Sequence, residues 1–219
     1  MTQTNISKLI DHLIDDDFFS DVEWMPLSKL LEEVNRKIVV DSEKMYNTIG
    51  VRWYCKGVFS HGDTTVKAKT LKKIQAGDLI YNKLFAWKGS FDIVREEFDG
   101  CYASNEFPTF VLKKNEYDVD LNFIKYYFRI PSSWSIAGQF SKGTAKISRN
   151  RLSVKDFLNI KIPIPRKQIR IKISSLLSAV EELDQLVQKS SNLSSSLYNG
   201  IVANVFENYH SDNVIETDE

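Results

Sequence analysis

The chain has 219 residues, 42% of them hydrophobic and 12% aromatic, which is enough for one cored domain and an appendage. Its formal net charge is zero, yet residues 50–155 hold 18 Lys/Arg against 10 Asp/Glu, while 1–49 (5 against 10) and 156–219 (6 against 9) are acidic. Two cysteines, Cys55 and Cys101, and three scattered histidines, His12, His61 and His210, argue against a disulfide framework and a zinc site; no apolar run reaches transmembrane length, and Met1–Asn5 lacks the basic start of a signal peptide.

A soluble, reducing, cytoplasmic setting is therefore expected, with no metal, no cofactor and no membrane partner. In chain order, residues 5–19 predict an amphipathic helix with Ile6, Leu9, Ile10, Leu13 and Ile14 on one face, stopped near the acidic run Asp15–Asp17. A second unit opens at Trp24-Met25-Pro26-Leu27, where Ser28 is placed to cap a short helix over Lys29–Asn35. From about 38 to 119 short apolar runs alternate with Gly, Asp and Asn. Ile49–Val51, Gly77–Tyr81, Phe91–Val94 and Phe107–Leu112 predict strands in a β-rich body.

Asp120 caps a predicted helix carrying Leu121, Ile124 and Phe128 that ends before Pro131. The stretch from Gly138 to Arg151 is basic and loop-rich. Ser153–Asp156 has the form of a capping box on a single helical turn, and Ile160-Lys161-Ile162 predicts one strand before Pro163 and Pro165.

The last third carries the most regular signal. Ile169, Ile173, Leu176, Val180, Leu183, Val187, Ser190, Ser194, Leu197, Ile201 and Asn204 follow in alternating steps of four and three. That spacing lays one narrow seam along a helix, to be covered by another helix. About 40 residues at roughly 1.5 Å each give a rod of about 60 Å. An ordinary long helix packed on its own domain is the plainer alternative. The acidic tail Asn208–Glu219 has a composition that favours disorder.

Together these elements give the expected organisation: an N-terminal helical extension (1–21), a β-rich domain (22–165), a long coiled-coil or dimerisation helix (166–207) and an acidic tail (208–219). The expected fold class is α/β (α+β), a β-rich body followed by a long C-terminal coiled-coil helix.

The ordered set of motifs resembles the specificity subunit of type I restriction-modification systems in a half-length form. Trp24–Leu27 looks like the opening of a target recognition domain in that family. Ile74–Ile80, with Gly77-Asp78 at its centre, looks like the family's "GD" strand. Gly138–Lys146 looks like its glycine-containing loop, and Ile162–Pro165 with Gln168 looks like the exit into its long helix. The resemblance covers about residues 22–207. Lys167 departs from the acidic residue the family usually has before that glutamine, and the chain has one recognition domain and one long helix where a full subunit has two of each.

The resemblance implies a non-catalytic subunit that binds double-stranded DNA, reads half of a bipartite site, and directs a separate methyltransferase subunit and a restriction subunit. It implies a homodimer, or pairing with another half-subunit, through the helix positions Ile169, Ile173, Leu176, Val180, Leu183, Val187, Leu197 and Ile201. A two-fold pair would read a palindromic site. A coiled-coil adaptor for protein partners, or an inactive fragment kept for recombination, are the rival readings.

Duplex DNA needs cations for its phosphates and planar groups for its base edges, so contact is expected in the basic middle. Three clusters supply candidates. The first holds Arg52, Lys56, His61, Lys67 and Lys69 among Trp53 and Tyr54. The second holds Lys83 and Lys88 beside Asn82 and Trp87. The third holds Gln139, Ser141, Lys142, Gly143, Thr144, Lys146, Arg149, Asn150 and Arg151. Gly143 would let backbone approach a phosphate, Gln139 and Asn150 suit adenine, and Arg149 or Arg151 suits guanine. Any one cation also reads as solvated surface charge, and Trp53, Tyr54 and Trp87 read as packing residues; the clustering carries the expectation. No Asp/Asn-Pro-Pro-Tyr motif or glycine-rich nucleotide loop occurs, and adjoining Glu96 and Glu97 would face apart.

Overall fold

The computed structural model describes residues 22–114, 117–129, 131–141 and 151–191, apart from positions 181, 184 and 188. These fall into two compact units, one ending at Ser174 and the other beginning at Ser175. The expected helix over 5–19 and the acidic tail lie outside the described residues.

The first unit opens with β1 (Glu23–Pro26) and closes with β11 (Lys161–Ile164), which pair antiparallel so that Glu23 faces Ile164 and Pro26 faces Lys161. Both ends of the domain therefore meet. Pro163 sits in this two-stranded ribbon, where a residue without an N–H is tolerated at an edge. Between them runs α1 (Leu27–Leu30), followed directly by β2 (Leu31–Val34).

This corrects the expected helix over Lys29–Asn35, which has neither its length nor its Ser28 cap. Pro26 is the N-cap residue, and the chain turns extended at Leu31. The physical reason is tertiary: Leu27, Leu30 and Leu31 are all buried, and β2 completes an edge of the strand β10 (Thr109–Leu112), with Leu31 opposite Leu112 and Val34 opposite Thr109. A short amphipathic helix had no local signal strong enough to resist that pairing.

The remaining strands are β3 (Lys37–Val39), β4 (Tyr46–Val51), β5 (Val58–Thr64), β6 (Thr70–Lys73), β7 (Leu79–Tyr81), β8 (Phe91–Ile93) and β9 (Tyr102–Ala103). One sheet has the order β2-β10-β7-β8 and the other β3-β6-β9-β4-β5. In the second, β4 and β9 pair parallel, while its other pairs are antiparallel.

The "GD" element has a structural explanation. Gly77 adopts φ +84°, a conformation that side chains rarely take, and turns the chain into β7. Asp78 is buried; its carboxylate accepts from the Gln75 amide at 3.0 Å and from both Arg36 guanidinium nitrogens at 2.6 and 3.2 Å. A buried carboxylate held by a forked partner and a backbone N–H fixes the start of a central strand.

Three helices cover the aromatic side. Asp120 caps α2 (Leu121–Tyr127) by accepting from the Phe123 amide at 2.8 Å, and the helix ends at Phe128, as the sequence predicts. Beyond it lies α3 (Pro131–Phe140), which the sequence reading left partly as loop. Pro131 starts this helix, at the position where its missing N–H costs nothing. Ser153 caps α4 (Val154–Asn159) by accepting from the Asp156 amide at 3.1 Å, and its hydroxyl donates to the Asp156 carboxylate at 2.7 Å; the helix runs beyond a single turn.

Tyr81, Phe91, Phe110, Phe128 and Phe157 form one ring cluster, with centroids 4.3 Å apart for Phe91–Phe128, 4.5 Å for Tyr81–Phe157 and 4.9 Å for Phe110–Phe157. All five are essentially inaccessible. The Tyr81 hydroxyl donates to the Leu152 carbonyl at 3.2 Å, and burial holds its pKa well above the usual range. A second, aliphatic cluster of Ile49, Val51, Val58, Ile74, Ile80 and Val94 lies under the β4–β5 hairpin.

After β11 the chain is helical at the described positions of 167–191, here α5. Its first residues belong to the first unit. Arg170 is buried, and its guanidinium donates to the carbonyls of Pro165 and Tyr117. The Ser174 hydroxyl meets Asp120 at 3.3 Å. Lys167, the departure from the family pattern, ion-pairs with Asp118 and holds that carboxyl below its usual pKa range. In the second unit, Leu183 and Val187 are 50% and 61% exposed, while Leu176 and Val180 are half-buried. The seam positions Ser194, Leu197, Ile201 and Asn204 lie outside the described residues.

Candidate nucleic-acid interface

The β4–β5 hairpin organises the basic face. Tyr54 and Cys55, the two central turn residues, have φ of +59° and +51°, and Lys56 N–H donates to the Trp53 carbonyl at 3.3 Å. This is the primed two-residue turn that suits a twisted hairpin, normally built from Asn and Gly. Here Tyr and Cys occupy left-handed positions, so the surroundings must hold them there.

They do so through backbone contacts. Tyr54 N–H donates to the Lys88 carbonyl and Cys55 N–H to the Gly89 carbonyl, each at 2.7 Å. The Cys55 thiol packs on the carbonyls of Gly89 and Phe128, both at 3.2 Å, and burial pushes its pKa up to about 12. Gly89 has φ +68°, and a Cβ there would sit 2.4 Å from the Trp134 ring. Trp134 belongs to α3 and packs against Tyr54 with ring centroids 5.6 Å apart. The turn is therefore pinned from behind while its outer side chains face solvent.

Three residues of the first cluster come together here. Arg52 lies 4.7 Å over the Phe59 ring, His61 packs edge-on against Phe59 at 4.7 Å, and Lys56 is exposed at the turn. All three line an apolar cleft of about 490 Å³. Lys88, from the second cluster, joins through Trp53, its ammonium 3.7 Å from the indole centroid. Lys67 and Lys69 are exposed in the β5–β6 connection and are not among the residues lining the cleft.

Lys83 and Arg151 form a separate group around Glu106. Arg151 pairs with a Glu106 carboxylate oxygen at 2.7 Å, and the Lys83 ammonium donates to the Asn105 carbonyl at 3.1 Å. Burial, then the neighbouring cations Lys72 and Arg151, pull the Lys83 pKa below its ordinary value. Gln139 is exposed on α3, and the Ser141 hydroxyl donates to the Ala137 carbonyl at 2.7 Å. Lys142, Gly143, Thr144, Lys146, Arg149 and Asn150 lie outside the described residues.

Trp53 and Tyr54 differ from the packing role expected of them: they are 40% and 48% exposed. Both lean on neighbours, Trp53 on Phe85 at 5.1 Å and Tyr54 on Trp134, yet keep ring surface in solvent. Trp87, half-buried and donating to the Leu84 carbonyl at 3.1 Å, does pack as expected. Sequence reasoning missed Gly50, Phe85 and Phe107, which also line the cleft. Gly50 carried a usable signal, because glycine inside a strand marks close approach. A Cβ on Gly50 would lie 2.7 Å from the Phe59 ring. Among the described residues no group of acidic, histidine and cysteine side chains is arranged to hold a metal, and no helix is long and apolar enough to cross a membrane.

The first unit is thus a mixed α/β domain that displays a pinned, cation-bearing aromatic hairpin. The chain belongs to the type I restriction modification DNA specificity domain family, whose model matches residues 20–193. Its fold is similar to that of the HsdS subunit from Thermoanaerobacter tengcongensis (TM-score 0.54, 14% identity, 78% of this chain and 45% of that one). It is also similar to the S subunit of a type I restriction-modification system from M. genitalium (TM-score 0.55, 14% identity, 80% and 43%). A third similar structure addresses complex assembly and conformational transition of the type I system (TM-score 0.51, 13% identity, 86% and 47%). The chain thus spans less than half the length of each of these solved chains. Among curated proteins, none matches it.

Proposed function

We infer that this chain is the sequence-reading subunit of a type I restriction-modification complex, one recognition domain reading half of a bipartite DNA site. It performs no chemistry itself and directs a separate methyltransferase subunit, and through it a restriction subunit. The observation that carries this reading is the family match over residues 20–193, joined among the described residues to one mixed α/β domain that leads into a helix. The basic balance of residues 50–155 supports double-stranded DNA as the ligand.

The domain at 22–165 reads, and the helix at 166–207 pairs with a second copy or with another half-subunit. Support for pairing comes from the heptad seam, whose Leu183 and Val187 are exposed in a single chain. Two identical halves related by a two-fold axis would read a palindromic bipartite site. Arg52, Lys56, His61 and Lys88 contact DNA from the hairpin, Lys67, Lys69 and Lys83 reinforce the positive field, and the 139–151 segment reads bases with Gln139, Arg149, Asn150 or Arg151.

The test is base-resolved methylation in a host expressing the chain with its neighbouring methyltransferase, compared with a deletion. A new bipartite palindromic motif is the expected result, and an asymmetric motif would replace the homodimer by a different partner half. Absence of any chain-dependent motif, with the methyltransferase active, would overturn the reading.

A further inference from the structure

The cleft beside the β4–β5 turn has a shape that duplex readout does not use. Direct readout presents side chains to base edges that stay stacked in the groove. An open recess of about 490 Å³ offers more room than one base edge occupies. Its walls include the rings of Trp53, Phe59, Phe85 and Phe107, and Gly50, also in the lining, lets the Phe59 ring lie close on the strand backbone. Its rim carries the cations Arg52 and Lys56, with the His61 ring beside them.

Aromatic walls under a cationic rim match one part of DNA: a single nucleotide whose base has left the stack, the base meeting the rings and its phosphates meeting the cations. We propose that this cleft receives one base swung out of the recognised duplex. The proposal rests on the DNA-reading function inferred above and adds to it a binding site for an unstacked nucleobase, separate from the base that the methyltransferase must reach.

Two further features fit this occupant. Trp53 is held in place before binding, with Phe85 at 5.1 Å and Lys88 at 3.7 Å, so little side-chain freedom is lost when a base arrives. The turn that carries it stores left-handed conformations at Tyr54 and Cys55, maintained by four contacts to the backbone of Lys88, Gly89 and Phe128. A rigid turn keeps the cleft open, whereas a mobile one would let the rings collapse together. Unpairing and unstacking a base is costly, and that cost falls when its partner is missing, which gives a direct handle on the site.

The experiment uses the full chain assembled with its methyltransferase and duplexes bearing the motif found by methylation mapping. An abasic site is placed opposite each base of the motif in turn, and affinity is measured. At one position other than the methylated bases, orphaning the base should tighten binding by about tenfold. Trp53→Ala should erase that gain while Trp53→Phe keeps most of it, and circular dichroism of both variants should match the wild type. The proposal is overturned if no such position exists, or if the gain survives in Trp53→Ala. A complex that methylates its motif without any orphan-base gain removes the cleft and leaves the specificity reading standing. A chain that confers no motif overturns both.

Discussion

The recognition unit uses aromatic side chains in two opposite ways. Tyr81, Phe91, Phe110, Phe128 and Phe157 are sealed between the β2-β10-β7-β8 sheet and the helices, none more than 1% exposed. Trp53 and Tyr54, some of the same chemistry at the β4–β5 turn, keep 40% and 48% of their surface. The first group specifies the fold through area and ring geometry. The second sits where strain is stored and cations converge, and so has surface left for a ligand. Composition does not separate the two groups; partners do. Each core ring is enclosed by several rings from other elements, whereas Trp53 meets Phe85 and Lys88, Tyr54 meets Trp134, and both keep part of their surface in solvent.

That contrast breaks most visibly at its buried side. Phe157 touches four other rings, so Phe157→Ala should cost about 3–5 kcal/mol in denaturant unfolding. A loss under about 1 kcal/mol would mean the ring cluster is not the centre of the core. Arg36→Ala should follow at about 3 kcal/mol, because it leaves the Asp78 carboxylate buried without its forked partner. Retention of full stability in that variant would show that the Gly77-Asp78 turn holds without its ion pair.

At the turn the order of effects should invert. Trp53→Ala should change stability by less than about 1 kcal/mol, since the residue lies outside both buried clusters and is 40% exposed, yet weaken DNA binding by the assembled complex by about tenfold. Equal losses in both measurements would erase the distinction between the two aromatic groups. The smallest effect concerns Cys55. Its thiol, raised from 9.0 to about 12 by burial, is stabilised in the protonated form by folding. That contribution is complete below pH 9 and is lost as pH rises toward 12. Native Cys55 should therefore be alkylated at pH 8 at least about a hundredfold more slowly than in the unfolded chain. Rapid native alkylation would indicate that the turn opens and is not pinned to Gly89.

Much of this architecture is legible in the residues alone where the signal is local. Asp120 and Ser153 mark helix starts because a short polar side chain can satisfy an N-terminal amide, and both do so. Gly77-Asp78 marks a strand start because glycine makes the turn and the carboxylate ties it. The 4–3 spacing from Ile169 marks a helix, and the described positions from 167 to 191 are helical. The segment 31–34 was misread because its fate depends on β10, about 80 residues away, whose edge it completes. The exposure of Trp53 and Tyr54 was equally invisible: it follows from Lys88, Gly89 and Phe128 holding the turn backbone, none of which adjoins it in sequence.

The sequence by itself determined the family, the α/β class, the order of recognition domain then long helix, and the concentration of positive charge in the middle of the chain. These rest on spacing, capping chemistry and charge, each read within a few residues. Tertiary structure alone decided which of the basic residues share a face. It put Arg52, Lys56 and His61 on one cleft, joined Lys88 to it through Trp53, and set Lys83 and Arg151 apart around Glu106. Strand pairing and long-range backbone hydrogen bonds make those choices, and no local pattern encodes them.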